Sequence, residues 1–463
     1  MSPRATTCRR SGRGLAALAL ACAAALLLPG EAAPAAGVAE TRAAPADSLA
    51  AAVAAARPGG EVVLPGGVYA ERLVLRKAVT LRAAPGEAVV IDGGGRGRVV
   101  EIHAPGVTLE GLTLRHSGDR VGDTDACVYV HESAAGTRLR GSRLEACAFG
   151  VWVNGAADVR LEDNAISGYR RPIVSDMGNG INLWRVTGAL VRGNRIRSVR
   201  DGIYVSVSTA STLAGNTLRD LRFGIHYMYS DRMRVVDNVT CDSRVGMALM
   251  FSKQLEVAGN RAWNNAEHGI LFRSLYDSRI AGNTVAGNGK GFFLNDAHGN
   301  AIAGNQVSGN AIGVHLTAGS DDNRVWGNNF AANRTQVRFA WRYPIAWHEA
   351  GRGNYWSDYL GWDLDRDGVG DRPYHASNRM DALVFRYPQL RLLARSPVVL
   401  LLQALEARFP VLRPPSIVDR HPALHPFPRP GAAEGGAASH TAAADCPAAP
   451  GAASQPEDAR SAS

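Results

Sequence analysis

Gly193-Asn-Arg-Ile-Arg-Ser-Val-Arg-Asp-Gly-Ile-Tyr-Val205 holds the pattern on which the fold turns: a Gly-Asn corner, a short alternating strand, a second corner and another alternating strand. The pattern recurs. Gly-Asn or Asp-Asn pairs end at Asn194, Asn216, Asn238, Asn260, Asn283, Asn305 and Asn328, in steps of 22 or 23 residues. Glycine-hydrophobic pairs begin at Gly180, Gly202, Gly224, Gly246, Gly269, Gly291 and Gly313 with the same steps. Two series that stay in phase this long define an internal repeat. Glycine admits the positive φ of a tight corner, and asparagine both tolerates it and bonds its own backbone there. Between corners, Ile203, Val205 and Val207 alternate with Tyr204 and Ser206, so one face of the strand is buried.

Stacked coils bury a continuous core that no single coil could bury alone. A leucine-rich repeat has a similar period, but its Leu-x-x-Leu-x-Leu frame is absent, and helical repeats need about 33 residues or more. The predicted fold is therefore all-β: a right-handed parallel β-helix spanning residues 47–340, with coils of about 22 residues. Wider spacings, 30 residues from Asn164 to Asn194 and 31 from Gly111 to Ser142, mark protruding loops. Long loops on a rigid scaffold often carry function. Asp47-Ser48 followed by Leu49, Ala52, Val53 and Ala56 predicts a short capped helix over the first rung, which would otherwise leave strand edges open.

Arg4, Arg9, Arg10 and Arg13 precede the apolar run Leu15–Leu28 and then small residues up to Ala36. Residues 1–36 read as a cleaved signal peptide, since the run is too short to cross a bilayer. The mature chain is expected to be soluble and periplasmic. Of the formal charge of +9, the leader carries +3. The remaining excess is mild and its basic residues are not interleaved with aromatics, which argues against nucleic acid as a partner. Cys127 and Cys147 lie one coil apart, as suits either an inter-coil disulfide or two small buried residues in a stack.

After the repeat, residues 341–386 form an acidic loop region. Asp363, Asp365 and Asp367 precede Gly368, and Asp371 follows, an order in which calcium loops gather oxygen ligands and which also suits a plain acidic turn. In residues 387–425, Leu390, Leu392, Leu393, Val398, Leu401, Leu402, Leu405 and Phe409 recur at largely helical spacing. They predict amphipathic helices that either pack on the solenoid's open end or dock a membrane-bound partner. The Ala/Gly/Ser/Pro-rich stretch 426–463 is expected to be disordered.

Aligning the strands after each Gly-Ile corner separates inward from outward side chains. The second position reads Asn182, Tyr204, His226, Ala248, Leu271, Phe293 and His315, and the fourth Trp184, Ser206, Met228, Met250, Arg273, Asn295 and Thr317, all expected outward. Met228 and Met250 then lie on neighbouring rungs beside His226. Two thioethers and an imidazole suit the soft ion Cu(I), with Met233 as a further ligand from the adjoining turn. Methionines that fill apolar gaps are the plainer alternative.

Gly178-Asn-Gly-Ile-Asn-Leu-Trp184, Arg200-Asp-Gly-Ile-Tyr-Val205, Arg222-Phe-Gly-Ile-His-Tyr-Met-Tyr-Ser230 and Gly246-Met-Ala-Leu-Met-Phe-Ser252 closely resemble the NosD family, periplasmic β-helix proteins of the system that matures nitrous-oxide reductase. Gly353-Asn-Tyr-Trp-Ser-Asp-Tyr359 and Val418-Asp-Arg-His-Pro422 are similar as well. The resemblance implies a non-enzymatic accessory of denitrification. An ABC-type ATPase and membrane subunits would hold it at the membrane, where it assists copper transfer between a copper chaperone and nitrous-oxide reductase. The competing class is a polysaccharide lyase, epimerase or hydrolase, or a carbohydrate-binding surface built on Trp184, Tyr204 and Phe293. Such an enzyme needs clustered carboxylates on one outer face, whereas Asp201, Asp220, Asp231 and Asp242 lie at corners and are expected to cap turns.

Overall fold

The computed structural model describes residues 40–42, 48–339 except 170 and 318, 345–376 and 417–428, with isolated positions between 389 and 409 and Cys446. The 1–36 leader lies outside the described residues.

Three parallel sheets wrap one hydrophobic core. The first has 13 strands, from Glu40–Arg42 to Arg324–Trp326; the second has 12, from Leu73–Leu75 to Val337–Phe339; the third has 13, from Gly67–Tyr69 to Tyr355–Trp356. Every strand pairs with its counterpart one coil away, as the repeat predicts. Ile181, Ile203, Ile225, Met247, Ile270 and Phe292 stack in register along the second sheet, all without solvent exposure.

The corner asparagines form a continuous ladder inside the coil. Asn194 Nδ2 donates to Asn216 Oδ1 at 3.0 Å and to the Leu161 carbonyl at 2.9 Å, and its backbone N–H also donates to Asn216 Oδ1. The pattern repeats through Asn238, Asn260, Asn283, Asn305 and Asn328 to Asn354. Each corner thereby satisfies backbone groups that the turn removes from the sheets.

Both ends differ from expectation. The helix Leu49–Ala55 does cover the first rungs, with Leu49, Ala52 and Val53 buried. Its free N–H groups are taken by Glu71, which accepts from Leu49 and Ala50, whereas Ser48 makes no capping bond to the backbone. A carboxylate from the next rung outcompetes the local hydroxyl at the positive end of the helix.

At the other end the solenoid runs past residue 340: Tyr355–Trp356 is its last rung in the third sheet. Trp356 is stacked between Phe330 at 4.5 Å and Tyr374 at 4.3 Å. Residues 417–425, expected to be helical, instead form a strap across this end. Val418–Asp419 pairs antiparallel with Tyr374–His375, and Ala423 bridges to Tyr355 and Val369. The Asp419 carboxylate closes the asparagine ladder by accepting from Asn354 N and Nδ2 and from Trp356 Nε1. Gly353 allows the approach, because a Cβ there would meet Asp419 Oδ1 at 2.2 Å and the His421 carbonyl at 2.3 Å.

Phe427 exchanges two hydrogen bonds with Asn329, so at this position the expected disordered tail is held on the solenoid. Cys446 is also held, in a disulfide to Cys241 against Val239, Trp263 and Ala286. Cys127 and Cys147 form a second, inter-coil disulfide. In the predicted helical segment, the described positions Pro397, Val398, Leu401 and Leu405 are helical. Val398, Leu401, Leu405 and Phe409 are exposed. The rest of that segment lies outside the described residues.

Candidate metal centre

Met228 and Met250 are in-register partners on adjacent strands of the second sheet, and both are half-buried on its outer face. Parallel rungs stand about 4.8 Å apart, within reach of two thioethers sharing one ion. His226 precedes Met228 by two residues and points to the same face. The face is more closed than the alternation predicts: His226 keeps 9% of its surface and Ala248 none.

His226 is held by a group that the sequence reading placed elsewhere. Its Nδ1 lies 3.1 Å from Asp201 Oδ2, which is fully buried one rung below. Arg222 forks onto the same carboxylate through Nε, at 2.8 Å, and Nη2. Burial pushes the Asp201 carboxyl up, but the bonds from His226 and Arg222 outweigh it and hold the group below the usual carboxylate range. Tyr204 and Phe223 pack edge-on against the imidazole, at 4.9 and 4.7 Å. A ring fixed through Nδ1 by a carboxylate leaves Nε2 for a ligand, the usual outer-shell arrangement of metal-binding histidines.

Asp201 is therefore an orienting residue and not a turn cap. Extending the outward column one residue ahead of the corner glycine would have found it, because Asp201 and Phe223 occupy the same register position. Of the other corner acids, Asp220 and Asp242 take positive φ at turns, and Asp231 accepts from Lys253 N.

Met233 does not join the site. It has no exposed surface and belongs to the core, where its sulfur accepts from Ser211 N–H at 3.3 Å. The corner at Tyr229, which has positive φ, carries the chain away from the face and turns Met233 inward. Flanking the thioethers, exposed Trp184, Val207 and Tyr229 form an apolar margin, with Tyr229 stacked on Phe251 at 5.0 Å.

In the acidic loop, Asp363, Asp365 and Asp367 converge, each with a carboxylate oxygen within 4.8 Å of the others. Loop N–H groups already bond them: Asp363 accepts from Arg366, Asp367 and Gly368, Asp365 from Asp367, and Asp367 from Val369. Asp371 stays outside this group and instead accepts from Leu364 N, tying the loop's base.

A second outward cluster was not anticipated. Asp296 accepts from Ser274 Oγ at 2.7 Å and Tyr276 OH at 3.0 Å and lies 3.1 Å from His298 Nε2, while Asp321 flanks His298 Nδ1 at 3.4 Å. Asp296 lies one residue beyond the aligned strand positions, at a positive-φ corner, and so escaped the column reading.

A family model described as periplasmic copper-binding protein (NosD) matches residues 162–361, and one for a right-handed β-helix region matches 77–240. A Pseudomonas aeruginosa protein named probable ABC transporter binding protein NosD is 44% identical over 402 residues, covering 84% of this chain and 93% of that protein. The Stutzerimonas stutzeri protein of the same name is 41% identical over 376 residues, covering 78% and 86%. Among solved structures, the A-module of the Azotobacter vinelandii mannuronan C-5 epimerase AlgE6 superposes with a TM-score of 0.50 at 15% identity, over 66% of this chain and 93% of the module, a likeness of fold alone. The match over nearly the whole length of curated relatives, with the family model lying across the His226–Met250 face, places this chain in the NosD family.

Proposed function

We propose that the chain is a periplasmic, non-enzymatic copper carrier that presents Cu(I) on His226, Met228 and Met250. The observation that carries this reading is the Asp201–His226 pair beside thioethers on adjoining rungs. A thioether pair and a pre-oriented imidazole select a soft monovalent ion over the harder cations of the periplasm. Copper is cargo here, taken from a copper chaperone and passed on during maturation of nitrous-oxide reductase. The apolar margin of Trp184, Val207, Tyr229 and Phe251 supports the reading, since it offers a surface on which donor and acceptor proteins dock in turn. ABC-type ATPase and membrane subunits keep the carrier at the membrane through the exposed residues Val398, Leu401, Leu405 and Phe409.

Chelator-competed Cu(I) titration of the exported chain tests the site. The parent is expected to bind one equivalent, and the triple variant His226→Ala, Met228→Ala, Met250→Ala to lose it. Equal affinity in both removes copper from these residues.

The acidic loop is proposed to take calcium through Asp363, Asp365 and Asp367, with isothermal titration of Asp363→Asn against the parent as its check; equal heats would dismiss it. The Ser274, Tyr276, Asp296, His298 and Asp321 cluster favours a second reading, carbohydrate chemistry. Turnover of uronate polymers by the parent, lost in His298→Ala, would establish that reading in place of the carrier.

A further inference from the structure

Three consecutive rungs of the third sheet bury side chains on its outer face. Cys241, Trp263 and Ala286 are in-register partners that alternate with the inward Thr240, Ala262 and Val285. Val239, two residues before Cys241, points to the same outer side and is buried as well. On the rungs before and after, the same column holds exposed Arg219 and half-buried Ser308. A side chain that alternation sends outward is buried only where another segment lies on it. Cys446 is seated there: it packs with Val239, Trp263 and Ala286, and its sulfur is bonded to Cys241.

Little besides that bond ties the C-terminal segment to the patch. Residues 429–463 contain no Val, Leu, Ile, Met, Phe, Tyr or Trp, so Ala, Pro and Cys446 are all the apolar side chains they offer. Burial of such small groups contributes little free energy against the entropy of an ordered chain. The segment is also long for its path. Phe427 is fixed at Asn329, four rungs or roughly 19 Å from Val239. The 19 residues from Phe427 to Cys446 can span about 60 Å when extended.

We propose that residues 429–463 are a redox-released cover for the Val239, Trp263 and Ala286 patch, with the Cys241–Cys446 disulfide as its latch. A small dithiol opens the latch in two exchanges. One thiolate attacks a sulfur of the disulfide, forming a mixed disulfide and expelling the other cysteine as a thiolate; the reagent's second thiol then displaces the remaining cysteine. Two electrons and two protons pass to the chain, which gains two thiols, and the dithiol becomes a cyclic disulfide. The attack takes place when the weakly held segment lifts, since both sulfurs are buried in the closed form.

The Cys127–Cys147 disulfide is the internal comparison. Its cysteines sit on Ala126–Val130 and Arg143–Cys147, strands that stay paired with their neighbours whether or not the bond is made. Their thiols therefore remain adjacent and readily close again. Cys446, once free, returns only through a slack linker, for which effective concentrations lie in the millimolar range. Exchange thus opens Cys241–Cys446 first.

The test equilibrates the exported chain with graded dithiothreitol, traps free thiols by alkylation and maps them by mass spectrometry. Cys241 and Cys446 should become alkylated at a dithiol concentration about tenfold lower than Cys127 and Cys147. Iodide quenching of tryptophan fluorescence reads the cover itself. Quenching should rise at the same dithiol concentration, and the rise should be absent in Trp263→Phe. Cys446→Ser, which keeps the Cys127–Cys147 disulfide, should be quenched without dithiol as strongly as the reduced parent. Opening of Cys127–Cys147 first or together with Cys241–Cys446 would remove the latch. A Trp263 that stays shielded in both the reduced parent and Cys446→Ser would show a bond that fastens the segment without controlling the patch, and would overturn the proposal.

Discussion

Asp201 and Asp419 are both wholly buried carboxylates, and their surroundings push them in opposite directions. Asp201 receives a guanidinium and an imidazole, and its carboxyl is held below the usual range. Asp419 receives only neutral donors, from Asn354, Trp356 and His421, and burial raises it above that range. Desolvation favours the neutral acid at both positions, and of the two only Asp201, which shares its site with a guanidinium and an imidazole, is held below the usual range. The difference separates the two roles. Asp201 is paired with groups that face outward and aims one of them, His226, at the candidate copper position. Asp419 faces inward and supplies acceptor capacity where the asparagine ladder would otherwise end.

The largest expected effect comes from removing the inward carboxylate. Asp419→Ala leaves Asn354 N, Trp356 Nε1 and His421 N without their acceptor, while Asn354 Nδ2 keeps the Val325 and Trp347 carbonyls. At about 1–3 kcal/mol for each buried unsatisfied group, the last rungs should lose about 3 kcal/mol or more. Denaturant unfolding would measure the loss, and hydrogen exchange should locate it at Tyr355, Trp356 and the strap. A loss spread evenly along the solenoid would deny that Asp419 is an end closure.

Removing the outward carboxylate should cost less stability and more function. Asp201→Asn keeps the volume but frees Arg222, itself partly exposed, at about 2 kcal/mol. Loss of the group that orients a metal-binding histidine typically weakens metal binding 10–100-fold. Cu(I) affinity should fall by that factor although no ligand has been touched. Undiminished affinity would reduce Asp201 to a purely structural ion pair.

Acid should distinguish the two residues by sign. The folded pKa of Asp201 lies below its unfolded value of about 3.9. Its stabilising contribution is therefore complete above that value and disappears as pH falls through the folded pKa. Asp419 has its folded pKa raised, so its ionised form costs stability above that pKa, and protonation relieves the cost as pH falls through it. Stability profiles of Asp201→Asn and Asp419→Asn should accordingly depart from the parent in opposite directions on acidification. Departures of the same sign would remove the distinction between the two sites.

How much of this was legible depended on whether the information was periodic. Corner glycines and asparagines recur every coil, so the solenoid, its register and the Met228–Met250 pairing could be read from spacing. Asp201, Glu71 and Asp419 occur once each. Their roles depend on what the neighbouring rung or a segment 65 residues away brings to them, as with Asp419 and Asn354. The helical expectation for 417–425 rested on continuing an apolar pattern that ends before it. There a single buried acid and a short strand pairing outweigh local propensity. Met233 misled because the turn after Met228 inverts its direction, which spacing alone does not convey.

Met233→Leu tests that inversion with a smaller effect. Leucine conserves the volume but deprives Ser211 N–H of the sulfur acceptor, so a cost of about 1 kcal/mol is expected. Cu(I) affinity should stay at the parent's value. A drop in affinity would return Met233 to the ligand set.

The smallest effect should have the opposite sign. Tyr227 lies between His226 and Met228 but points into the core, fully buried, and among the described residues its hydroxyl has no hydrogen-bond partner. Burial raises its pKa, so it stays neutral, and nothing repays the loss of water around its oxygen. Asp201 has charged partners and Asp419 neutral ones; Tyr227 has none, and of the three it alone should gain from losing its polar group. Tyr227→Phe is expected to stabilise the chain by about 1 kcal/mol and to leave Cu(I) binding unchanged. Denaturant midpoints of the two proteins would decide: a lower midpoint for the phenylalanine variant would mean that the hydroxyl has a partner inside the solenoid, such as a bound water, and that this part of the core is not dry.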